Sequence, residues 1–133
     1  MFDVFKVYAT DAVKEQTGAT IELGGGASML IARVGNPAYR KSLLAESEKL
    51  QVSLDSLPAE EADKLDEEIM IRVMAETILL GFKGFAYKGK LIEYSKENAR
   101  KVLSHKDFRI RVMMEAQKLE NYRVANQEGD VKK

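Results

Sequence analysis

The sequence predicts a mainly α fold with a small N-terminal β-hairpin (α+β), about four helices in a single compact domain over residues 1–133. Three observations point there. Two short β-leaning segments, ATIEL (19–23) and MLIARV (29–34), flank GGGAS and read as a hairpin with a glycine turn. Beyond Pro37, apolar residues recur at three- and four-residue steps, the spacing of a buried helix face. A length of 133 residues with 45% hydrophobic content supplies one ordinary core and is short for two domains. The expected layout is a hairpin region over 1–35, a helical region over 36–125 and a flexible tail over 126–133.

In chain order, Val4 to Tyr8 reads as a further strand. Asn36 is placed as an N-cap with Pro37 at the first helical position, opening a helix over 37–52. Its Leu43, Leu44, Leu50 and Leu54 lie on one face. Pro58 opens the central helix, 58–80, whose first turn carries the acids that a helix dipole favours. Ala62, Leu65, Ile69, Val73 and Leu80 line one side, and Met70, Met74 and Ile78 widen it. Gly81 ends that helix, and 81–93 forms a connector with a β-like turn around AYKGKLIEY, bent at Gly89. Ser95 caps SKENARKVL, and Ser104-His105-Lys106-Asp107 matches the capping box that opens a last helix. Phe108, Val112, Ala116, Leu119 and Tyr122 form its stripe.

Composition narrows the chemistry. Twenty-one basic and twenty-one acidic residues cancel, so no global field draws the chain to nucleic acid or to an anionic membrane. The absence of cysteine removes disulfides, thiolate metal sites and cysteine nucleophiles, which suits a reducing cytoplasm. No run approaches the roughly 18 to 20 apolar residues of a membrane span, and MFDVFKVYATD lacks the basic-then-apolar order of a secretory signal. Charge is uneven locally: residues 46–76 hold ten acids and three bases, residues 96–123 eight bases and four acids. These are either two solvated faces or the two halves of a contact between copies. In the second case Glu60, Glu61, Asp63, Glu67 and Glu68 of one copy approach Arg100, Lys101, Arg109 and Arg111 of the next. Such a head-to-tail contact closes into a ring or propagates as a helical array.

Catalytic patterns are weak. Gly84, Gly89 and Lys90 in GFKGFAYKGKL copy part of a phosphate-loop signature, but Leu91 stands where a magnesium-binding Ser or Thr is required. The glycines read instead as relief of strain at a bend. His105, the single histidine, has neither an orienting partner nor companion ligands in its flanks and reads as a surface or capping residue. Glu61 and Glu68 lie two helical turns apart and read as a solvent face. Arg100, Lys101, Lys106, Arg109 and Arg111 lack the interleaved aromatics of a nucleic-acid surface. Met70, Met74, Met113 and Met114 read either as core filler or as an adaptable groove for an apolar partner. The expectation is a binding protein with no catalytic residues, no cofactor and no metal.

With those residues in view, GFKGFAYKGKLIEYSKENARKVL (81–103) resembles the tail assembly chaperones of long-tailed, siphovirus-type bacteriophages. In that family a Gly-aromatic-Lys-Gly connector leads through a glycine turn to a Tyr-Ser-x-Glu-Asn-Ala helix start. The matching positions are Gly81, Phe82, Lys83, Gly84, Gly89, Tyr94, Ser95, Glu97, Asn98, Ala99 and Leu103. Upstream, ATD and KEQTGATIELGGGASMLIARVGNPAYRKSL are similar to the family's short strand pair followed by Arg-x-x-Asn-x-x-Tyr, so the likeness spans about residues 8 to 120. Phe82 stands where Trp is the commoner residue. The resemblance implies a non-enzymatic protein that binds the tape measure protein, the long and largely helical chain that sets tail length. It keeps that chain soluble and extended until tail tube subunits polymerise around it. The major tail tube protein and further copies of the chain itself are the other implied partners. The implied location is the host cytoplasm, with the protein absent from the mature virion. A head-tail adaptor or tail completion protein is the alternative.

Overall fold

The computed structural model describes residues 1–54 and 57–124. Among them lie six α-helices and five strands: α1 (Val4–Val7), α2 (Ala12–Thr17), β1 (Ala19–Gly24), β2 (Ala27–Ile31), α3 (Pro37–Leu54), α4 (Ala59–Thr77), β3 (Leu79–Lys83), β4 (Phe85–Tyr87), β5 (Lys90–Ile92), α5 (Lys96–Leu103) and α6 (Lys106–Gln117). A 3₁₀ turn follows over Leu119–Tyr122. The expected tail, 126–133, lies outside the described residues. None of the described helices is long and apolar enough to cross a membrane.

The fold is mixed α+β, which corrects the mainly α expectation with its single N-terminal hairpin and about four helices. β1, β2 and β3 form one antiparallel sheet in that order, and β4 with β5 forms a second. The glycine-turn hairpin is present, with Ala19 opposite Ile31 and Ile21 opposite Met29. Its third strand comes from mid-chain: Met29 faces Phe82 and Leu30 faces Gly81. The apolar run before Gly81 suits a helix or a strand equally, and the unpaired side of β2 decides between them by offering a ladder of backbone partners. The central helix therefore stops at Thr77 rather than at residue 80, and Gly81 lies within a strand instead of ending a helix. The expected connector over 81–93 is likewise the end of β3 and the β4–β5 hairpin. Lys88 and Gly89 both take the left-handed backbone (φ 53° and 81°), as a two-residue hairpin turn requires.

Helix starts follow local side-chain chemistry. Asn36 Oδ1 accepts from the Tyr39 amide at 2.9 Å, and Ser95 Oγ from the Asn98 amide at 2.9 Å, both as expected. The segment Val4 to Tyr8 is not a strand. Asp3 accepts from the Lys6 amide, a local bond that favours a helical turn, and α1 contains no buried residue. The capping box at Ser104 does not form either. His105 occupies the N-cap of α6 without a side-chain bond, while Ser104 donates back to the Lys101 carbonyl. Arg109 closes the end of α5, donating to the Leu103 carbonyl at 2.8 Å.

The core gathers Met29 and Ile31 of β2, Val73 and Met74 of α4, Ile78, Leu79, Leu103 of α5, and Val112 and Ala116 of α6. Leu43, Leu50 and Leu65 pack partly buried against it, whereas Leu44 is exposed. The last helix ends at Gln117, and the chain bends at Lys118 so that Tyr122 reaches the core from the 3₁₀ turn. Its hydroxyl donates to the Ile31 carbonyl at 3.1 Å, and burial pushes the phenol well above its ordinary pKa.

Candidate binding surface

The residues that carry the resemblance build a frame around one row of aromatic rings. Phe82 stacks on Phe85 at 4.3 Å and 9°, Tyr94 meets Phe82 edge-on at 5.3 Å, and Phe108 meets Phe85 edge-on at 5.7 Å. The Tyr94 hydroxyl donates to the Leu79 carbonyl, anchoring the row to β3. Burial, then the Glu76 charge, raises the Tyr94 phenol above its usual pKa. Asn98 Nδ2 donates to the Glu93 carbonyl at 2.8 Å, and Ala99 and Leu103 are fully buried. Gly84 (φ 72°) leaves room for the glycine turn of the first hairpin, since a Cβ there would sit 2.8 Å from the Gly26 carbonyl oxygen. Lys83 and Glu97 stay at the surface, Glu97 paired with Lys101 at 3.9 Å.

Two of the surface grooves among the described residues bear on binding. The larger, about 520 Å³, lies between the β4–β5 hairpin and the α5–α6 corner, with Phe85, Tyr87, Val102 and Phe108 as apolar walls and Lys101 and His105 at its edge. The Lys88 and Lys101 ammonium groups stand 5.4 and 5.7 Å from the Tyr87 ring centre. The smaller, about 180 Å³, lies between α4 and α6 and is lined by Met70, Met74, Arg109, Ile110 and Met113. Three of the four methionines expected to share a groove thus meet here. Met74 is fully buried beneath it, and Met114, one position further round the helix, is 54% exposed outside the lining. Ile110 and the whole hairpin groove were not foreseen in the sequence. Ile110 is 46% exposed and sits four residues before Met114, a spacing that marks a second apolar stripe on α6.

The acidic and basic sets are partly spent within one chain. Arg109 pairs with Glu67 at 3.7 Å, Arg100 with Glu76 at 3.9 Å and Arg111 with Glu115 at 3.5 Å. Glu60, Glu61, Asp63 and Glu68 remain exposed. Glu115 is almost buried: burial pushes its carboxyl up, but hydrogen bonds from Lys118 and Asn121, with the Lys118 and Arg111 charges, outweigh this and hold it below the usual range. On the far side, Glu46 receives two hydrogen bonds from Arg72, at 3.1 and 3.0 Å, and these hold its carboxyl low.

Gly84, Gly89 and Lys90 span a β-hairpin, with Lys90 on β5 and no helix start behind it to receive a phosphate. His105 is exposed at the rim of the larger groove. No group of three or more His, Asp or Glu side chains placed to hold a metal ion occurs among the described residues.

Comparison with known proteins gives one family. A family model described as YdaY prophage protein matches residues 34–133. No curated protein and no solved structure matches the chain. The matched stretch contains every residue that lines the two grooves. The chain therefore belongs to the YdaY prophage protein family and is of phage origin.

Proposed function

We propose that this phage-derived protein is a tail assembly chaperone. It binds the tape measure protein through apolar grooves, keeps that chain soluble and extended in the host cytoplasm, promotes polymerisation of the tail tube around it, and catalyses no reaction. The observation that carries this reading is the methionine groove between α4 and α6, continued on the surface by Ile110 and Met114. Methionine side chains are unbranched and polarisable, so one such groove accepts differing apolar side chains along a helix. The likeness of residues 81–103 to tail assembly chaperones supports the same reading.

A groove of about 180 Å³ accommodates a side chain or two rather than a helix, so each copy contributes little affinity. Useful coverage of a long client then comes from many copies acting together. The test is co-expression with the tape measure protein encoded by the same phage genome. The client should become soluble and co-purify with the wild type. An Ile110→Glu, Met113→Glu variant with an unchanged circular dichroism spectrum should lose at least about tenfold in affinity, the effect of removing roughly 1.4 kcal/mol of contact. A client that is equally insoluble with or without this protein would overturn the reading.

A further inference from the structure

The β4–β5 hairpin is a sheet of two strands, so among the described residues β4 has a partner strand on one side only. Neighbouring side chains of a strand point to opposite faces. The hairpin groove nevertheless touches all three residues of β4, Phe85, Ala86 and Tyr87, and none of β5. It therefore runs along the open edge of β4, with the α5–α6 corner as its far wall.

The register shows which backbone groups face it. Lys88 and Gly89 form the two-residue turn, so Tyr87 and Lys90 close the hairpin as a hydrogen-bonded pair. Bonded and non-bonded pairs alternate along an antiparallel ladder. Ala86 opposite Leu91 is then a non-bonded pair and Phe85 opposite Ile92 a bonded one. The Ala86 amide and carbonyl thus both point away from β5, along the groove, and Ala86 is exposed. A helix cannot answer them, because its own backbone groups are bonded internally. An extended chain can, by pairing with the edge.

Charge narrows the kind of chain. Residues 81–92 hold Lys83, Lys88 and Lys90 and no carboxylate, and no carboxylate lines the groove. Lys101 on the far wall is already shared with Glu97 at 3.9 Å and adds little. Three lysines on one hairpin oppose edge-to-edge pairing with the same strand of a second copy and favour a segment that carries acids.

We propose that the hairpin groove binds an extended, acid-bearing segment of another protein, which adds to the open edge of β4 as a third strand. Ala86 supplies the two backbone hydrogen bonds, and an apolar side chain of the segment enters between Phe85, Val102 and Phe108. A carboxylate of the segment meets Lys88, which stands beside the groove over Tyr87. This surface is separate from the methionine groove and takes its partner in a different backbone conformation, so it does not rest on the function proposed above.

The test is fluorescence anisotropy of the full chain with short labelled peptides in which Phe, Leu, Ile, Val or Met alternates with Asp or Glu. At least one should bind saturably, and replacing its acids by Lys should abolish binding. Methylating its backbone amides one at a time should weaken binding at least about tenfold at the position that donates to Ala86. Ala86→Pro deletes the outward amide, which an edge strand can spare, and should weaken binding by a similar factor with an unchanged circular dichroism spectrum. In the wild type, bound peptide should slow hydrogen exchange of the Ala86 amide and leave the Phe85 and Tyr87 amides, already in the ladder, as they were. That reading holds even where proline disturbs the hairpin. No binding by any such peptide, equal binding by every methylated form, or unchanged Ala86 exchange at saturation would each overturn the proposal. So would wild-type dimers that Ala86→Pro abolishes, since these would place a second copy in the groove. The Ile110→Glu, Met113→Glu variant should bind the peptide like the wild type, which keeps this test apart from that of the methionine groove.

Discussion

At the scale of single residues, Asn36 ties three segments with one amide. Besides capping α3, its Nδ2 donates to the Arg33 carbonyl at 2.8 Å and to the Thr77 carbonyl at 3.3 Å, in a position only 6% exposed. Asn36→Ala should cost about 2–3 kcal/mol in urea unfolding, a lost cap together with unanswered buried carbonyls. Asn36→Asp keeps the cap but sets a carboxylate against those carbonyls, and should recover little. Glu115 gives a pH signature. Its folded pKa lies below its unfolded value, so its stabilisation is complete above the ordinary carboxylate range and is lost as pH falls through the folded value. Glu115→Gln should melt lower than the wild type at neutral pH, and the two melting curves should converge toward about pH 2. Calorimetry across that range measures the difference directly.

Among the elements, Gly84 and the glycine turn of the first hairpin meet backbone against backbone. At Gly84 an added Cβ meets backbone on every near side, Gly26 O at 2.8 Å and Ala27 Cα at 3.1 Å, whereas at Gly25 it meets nothing within 4 Å. Gly84→Ala should therefore cost about 2–4 kcal/mol, and Gly25→Ala only the backbone strain of about 1 kcal/mol. Thermal melting of the two variants side by side checks this. The same elements show what sequence patterns reveal. Asn36 and Ser95 were legible because a cap is settled within four residues of chain. β3 was not, since its partner β2 lies some fifty residues earlier and TILLGF carries no period that separates strand from helix. Ser104 misled because a capping-box pattern says nothing of Arg109, whose guanidinium takes the end of α5 instead.

Across the whole molecule, the uneven charge was legible but its destination was not. Helices α4, α5 and α6 pack within one chain, so Arg109 already answers both Glu67 and the Leu103 carbonyl. Arg109→Glu should lower monomer stability by about 1–3 kcal/mol in urea, and a loss of assembly in that variant would report on folding. Reversing the exposed Glu60 and Glu61, which stand in the first turn of α4, should cost only about 1 kcal/mol, the helix-dipole contribution. Three of the groove methionines were legible from helical spacing and type; the β-like turn at Gly89 was legible too, but not that its hairpin stands beside the α5–α6 corner and leaves a groove there. The hydrogen bond from Tyr122 to Ile31 spans 91 positions of sequence. Residues through Tyr122 must therefore leave the ribosome before that carbonyl is answered, and shorter nascent chains wait unfinished. A stop codon inside the final helix would leave a fragment with an open interior, which cellular proteases should clear even though all five described strands are complete.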